Sequence, residues 1–98
     1  MNPQKLPAAK VEIRTQVRFE DPPGASARSS LLELITQDHP GLLYQVSSTL
    51  AELGFNIEVA LIDTEGQKVI DVFYLTSHGA QLDPEEQQKI RDALLSQL

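Results

Sequence analysis

The feature that most constrains this chain is the stretch from Asp38 to Gly54, where a helical repeat is bracketed by residues that interrupt regular backbone. Leu42, Leu43, Val46, Leu50 and Leu53 fall at helical spacing, with Gln45, Ser48 and Glu52 opposite. An apolar stripe of that kind has to be buried, so the segment reads as an amphipathic helix lying on a core. Pro40 pushes the residue before it out of the helical region and presets its own dihedral for a helix start. Asp38 or His39 then stands where a cap for the exposed amides is expected. Gly54 stops the helix as the residue past its C-cap.

Strand patterns lie on both sides. Leu31-Leu32-Glu33-Leu34-Ile35-Thr36 precedes the helix and is apolar on both faces except at Glu33. After it, Phe55 to Thr64 alternates, with Ile57, Val59 and Leu61 against Glu58, Ala60 and Ile62. Glu65-Gly66 supplies a hairpin turn, and Lys68 to Thr76 returns as a strand that is apolar on both faces apart from Asp71, as a central strand is. Ser77 to Leu82 reads as a loop. Asp83-Pro84-Glu85-Glu86 opens a last helix: Asp83 caps, Pro84 takes the first position and Glu86 completes a capping box. Ile90, Ala93, Leu94 and Leu98 give that helix its stripe.

From Leu31 onward the order is βαββα, a ferredoxin-like sandwich of the α+β class without its final strand. An earlier segment offers a replacement. Val11, Ile13, Thr15, Val17 and Phe19 alternate with Glu12, Arg14, Gln16 and Arg18, the period of a half-buried strand. The loop Glu20 to Ser26 joins it to the next strand, so it is expected at the sheet edge where the missing strand belongs. Residues 1–10, with Pro3 and Pro7, read as a flexible lead-in, and residues 11–98 as a single domain.

Composition narrows function mainly by exclusion. The net charge of −6 is uneven: residues 1–28 carry +2 and residues 29–98 carry −8. An acidic globular part repels phosphate backbones, and the basic residues of the lead-in are too dispersed to form a patch, so nucleic-acid binding is not expected. With no cysteine, thiolate chemistry and disulfides are out, and His39 and His78 show no ligand spacing for a metal. No apolar run approaches a membrane span and the polar start is not a signal peptide, which fits a cytoplasmic protein. No nucleophile elbow or glycine-rich phosphate loop is present, so catalysis and a bound cofactor are not expected from this chain by itself. An acylphosphatase-like enzyme on the same fold would need a phosphate-cradling loop with a nearby Arg and Asn, which is not recognisable here.

What remains is the strand-to-helix turn Asp38-His39-Pro40-Gly41-Leu42-Leu43. Gly41 lets another group approach the backbone, and a helix N-terminus favours a carboxylate. Asn56, past the other helix end, offers a donor and an acceptor. Together these suit a zwitterion, with amides for its carboxylate and Asp38 or a carbonyl for its ammonium. A capped turn followed by an Asn entering a strand accounts for the same residues without any ligand.

Asp38-His39-Pro40-Gly41-Leu42-Leu43, Leu53-Gly54-Phe55-Asn56-Ile57 and Val69-Ile70-Asp71-Val72-Phe73-Tyr74 resemble the ACT domain pattern. The likeness is strongest to the C-terminal ACT domain of bifunctional uridylyltransferase/uridylyl-removing enzymes, with Asp-Val-Phe-Tyr the discriminating piece. This resemblance implies a regulatory amino-acid ligand, glutamine in that family, held by positions matching Asp38, Gly41 and Asn56, often across a domain pair. It implies the C-terminal piece of such an enzyme, with a stand-alone interaction module the alternative. His39 stands where that family usually has arginine, which leaves the charge of the loop open.

The fold also implies a partner. Its helices cover one sheet face only. With Ile70, Val72 and Tyr74 turned to the helices, Asp71, Phe73 and Leu75 lie on the open face, where Asp71 is solvated or sets register. An open face that apolar, and a free sheet edge, both favour a homodimer or pairing with another ACT domain.

Overall fold

The computed structural model describes residues 12–22 and 28–98. The expected lead-in at residues 1–10, Val11, and the middle of the loop that follows Asp21 lie outside them. The elements are β1 (Gln16–Glu20), β2 (Ser30–Gln37), α1 (Leu42–Glu52), β3 (Asn56–Glu65), β4 (Lys68–Thr76) and α2 (Pro84–Gln97). They form a four-stranded, fully antiparallel sheet in the order β1-β2-β4-β3, with α1 over β3 and α2 over β1. This is the ferredoxin-like arrangement. β1 takes the edge beside β2, Val17 opposite Leu34 and Phe19 opposite Leu32, so an N-terminal strand fills the place of the usual last one.

Local chemistry explains the element ends. Past α1, Gly54 adopts φ 91°; its amide donates to Ala51 and that of Phe55 to Leu50, the paired bonds of a Schellman ending. The Phe55 and Leu50 side chains are both in the core, which locks that exit. The hairpin turn is Gly66-Gln67, one residue later than expected, with glycine at the first turn position as a type II′ turn requires.

The core is built from alternate residues of the two central strands, Leu32 and Leu34 of β2 with Val69, Phe73 and Leu75 of β4, closed by Leu42, Val46 and Leu50 of α1 and Ile90 and Leu94 of α2. This reverses the expected phase of β4. Asp71, Phe73 and Leu75 lie beneath the helices and are buried, whereas Ile70, Val72 and Tyr74 face away and are half-buried. A strand apolar on both faces carries no internal signal of which face is which. The phase comes from register, which sets Glu33 opposite Val72 on the open face and Leu34 opposite Asp71 under the helices. A bulge between Ile57 and Val59 likewise breaks the expected alternation of β3. Ile57 packs on the core, while Val59 and Leu61 share the open face with Tyr74 and Val72. Leu31, Ile35, Ile70, Val72 and Tyr74 therefore make the uncovered face apolar, though with a different set of side chains than expected.

Candidate functional site

Beyond β2 the chain turns sharply before α1. The Asp38 amide donates to the Gln67 carbonyl at 2.8 Å, tying this loop to the β3–β4 hairpin turn. The His39 ring donates from Nδ1 to the Pro40 carbonyl at 3.1 Å. Gly41 then takes φ 78°, ψ 7°, a left-handed conformation that costs an ordinary L-residue about 1–2 kcal/mol. No atom lies within 4 Å of where its Cβ would stand, so the glycine meets a backbone angle and leaves an open approach rather than relieving a clash.

That turn moves the helix start to Leu42 and makes Gly41 the cap position, where no side chain exists to cap. The expectation that Asp38 or His39 caps the helix is overturned for this reason. The Leu42 amide reaches the His39 carbonyl at 3.2 Å, and the Gln45 amide reaches Gly41 at 2.9 Å. Between them, the amides of Leu43 and Tyr44 have no acceptor among the described residues. Two unmet donors at the positive end of a helix dipole form an anion-favouring patch.

This head of α1 opens on a recess of about 250 Å³. Asp38, His39, Gly41, Leu42, Leu43 and Tyr44 form one side, and Ile62, Thr64, Val69 and Asp71 of the adjoining hairpin form the other. The volume lies below the ~300–1,000 Å³ of complete small-molecule sites, and the recess is open to solvent. Pro40 shapes the turn without lining the recess. Asn56 is elsewhere: it begins β3 opposite Thr76, past the far end of α1, which at 11 residues runs about 16 Å. One chain therefore gathers Asp38, His39, Gly41, Leu42 and Leu43 but not Asn56.

Asp71, expected on the open sheet face, solvated or setting register, is 1% exposed. Its Oδ1 is the one buried side-chain polar atom without a hydrogen-bond partner among the described residues. Burial, followed by the negative charge of Asp38, pushes its pKa from 3.8 up to about 6. The signal that could have found it was visible: a lone acid in a central strand otherwise apolar on both faces. Among the described residues no group of three His, Asp or Glu side chains could hold a metal ion, and no helix is long and apolar enough to cross a membrane.

Comparison with known proteins bears on this arrangement directly. The family model described as "ACT domain" matches residues 30–94, from the first residue of β2 into the last turns of α2. The chain belongs to the ACT domain family. This ACT domain is also 39% identical over 87 residues to the bifunctional uridylyltransferase/uridylyl-removing enzyme of Vibrio campbellii, covering 88% of the chain and 10% of that protein. It is 38% identical over 92 residues to the enzyme of the same name from Vibrio atlanticus, covering 93% of the chain and 10% of the relative. The corresponding protein of Aliivibrio fischeri is 36% identical over 93 residues, covering 94% of the chain and 11% of the relative. The ACT domain thus spans about a tenth of the length of the curated relatives it matches. It contains no catalytic domain. No solved structure matches it significantly.

Proposed function

We propose that this ACT domain, residues 11–98 behind a short lead-in at 1–10, is a regulatory module that binds a free amino acid, glutamine first. It would report that ligand to a cytoplasmic enzyme of the uridylyltransferase/uridylyl-removing kind. The observation that carries the reading is the uncapped head of α1, where the unmet amides of Leu43 and Tyr44 open on a recess beside Gly41. A small carboxylate satisfies both amides and the dipole at once. Asp38, His39, Pro40, Gly41, Leu42 and Leu43 form the loop and helix head of this site.

A second copy, or another ACT domain, completes it. β3 is a ten-residue edge strand, exposed along nearly all its length, and it carries Val59, Leu61 and Ile62 into solvent. Long exposed edges that carry such side chains invite pairing. In an antiparallel β3–β3 pair with its two-fold axis beside Ala60, Asn56 of one copy would stand opposite Thr64 of the other, which lines the recess. This supports a shared site to which Asn56 contributes from the partner.

The same edge favours a second reading, a pairing module without a ligand. A thermal-unfolding panel of the twenty amino acids, run where the chain is dimeric, separates the two. A true ligand at about a hundred times its Kd stabilises the folded state by roughly 2.7 kcal/mol, a rise of many degrees for a domain this size. A flat panel leaves the pairing role alone standing.

A further inference from the structure

Two demands of opposite sign meet in the recess. On the α1 side, two amides and a helix dipole want an anion. Opposite, Asp71 lines the recess and carries a buried oxygen without a hydrogen-bond partner, with Asp38 also on the recess. Among the described residues no lysine or arginine lines it; His39, Tyr44 and Asp38 are its other titratable side chains. Among the described residues there is therefore neither a cation for Asp71 nor an anion for the amides. Nor do the two needs cancel, since Oδ1 accepts no bond from the amides. An unpaired buried carboxylate is among the costlier features a fold can carry, and its persistence beside a cleft marks a place where a ligand group belongs.

We infer that Asp71 is the acceptor for the α-ammonium of the bound amino acid, its carboxylate receiving N–H donors from the ligand while the Leu43 and Tyr44 amides hold the ligand's carboxylate. The assignment rests on the amino-acid reading above and moves the ammonium contact from the exposed loop acid Asp38 to the buried strand acid Asp71. The two charged groups of an α-amino acid sit on one carbon, which matches donor and acceptor walls facing each other across one small recess. A neutral amide donor on the ligand could reach Asp71 but would leave its charge unbalanced. The ligand class that follows is zwitterionic: acids lacking the amine, and amines lacking the acid, are poor ligands.

Isothermal titration of the full 98-residue chain, wild type and Asp71→Asn, with L-glutamine and with glutaramate tests this. Glutaramate keeps the carboxylate and the side-chain amide and lacks only the α-amine. The expected result is that wild type prefers glutamine by about 10–100-fold, the range for a charge-assisted bond, and that Asp71→Asn loses this preference while binding glutaramate at least as well as wild type, because the like charge beside its carboxylate is gone. Asn matches Asp in size, and circular dichroism checks the fold of the variant. A second measurement needs no variant. With Asp71 titrating near 6, glutamine binding to wild type weakens about tenfold from pH 7 to pH 5, because the ammonium requires the ionised carboxylate, while glutaramate binding does not weaken. Equal preference in wild type and Asp71→Asn overturns the role of Asp71 and spares amino-acid binding. No binding of any of the twenty amino acids by wild type overturns both.

Discussion

The two helices of this domain begin in opposite ways. At α2, Asp83 accepts from the Glu86 amide at 2.8 Å, Glu86 returns the bond to the Asp83 amide at 2.9 Å, and Pro84 removes one donor altogether. The second Glu86 oxygen accepts from the Ser77 hydroxyl, and these bonds hold the Glu86 carboxyl below its usual pKa. At α1 there is a glycine, no side-chain cap, no acid in the first turn and two idle amides. One chain contains both, so the open head is not a general weakness of its helix ends. α2's head is capped by its own residues, with only the Glu85 amide left without an acceptor among the described residues. α1's head faces a cleft lined by a buried acid, and its needs are left for something outside the chain.

The largest effect that would sharpen this contrast concerns Asp71. Its folded pKa of about 6 lies above the 3.8 of an ordinary Asp. The native state therefore binds that proton more tightly, and the corresponding stability is present below pH 4 and lost as pH rises through 6. Asp71→Asn escapes the loss, so it should raise the ligand-free unfolding free energy by roughly 2–3 kcal/mol at pH 7.5 and change it little at pH 4. Urea titrations at the two pH values measure this; a destabilised variant at pH 7.5 would mean Asp71 has a partner after all. Next comes Gly41→Ala. With room for a methyl but φ 78°, the cost is the backbone angle alone, about 1–2 kcal/mol in the same titration. A neutral outcome would mean that the turn is not held left-handed. Smaller still is Asp83→Ala, which removes one side of the capping box and should cost about 1 kcal/mol without altering amino-acid affinity. A loss of ligand binding there would erase the distinction between the two heads.

Much of the architecture could be read from local residues. Gly54, the Asp83–Glu86 box and Leu42, Val46 and Leu50 of the α1 stripe each act within a turn or two and do what their types demand, whereas Leu43 and Leu53 of that stripe are exposed. The edge position of β1 followed from alternation and one connecting loop. What escaped was set at a distance. The phase of β4 depends on its register with β2, and the bulge at Glu58 on how β3 must bend to keep pairing, so neither shows in its own segment. The cap at α1 was misassigned because Pro40 suggests an earlier start, whereas the turn at Gly41 delays it. The loop half of the candidate site was legible as a motif. Asp71 was legible only as an oddity, since its burial is a property of the assembled sheet.

The sheet has two unequal borders. β1 is five residues long and sends the polar side chains of Gln16, Arg18 and Glu20 into water, whereas β3 is twice that length and also exposes Val59, Leu61 and Ile62. Growth by strand addition is favourable along one border and discouraged along the other. Two copies joined through the long border leave only the short β1 borders at either end of the joined sheet, so further growth by strand addition is discouraged.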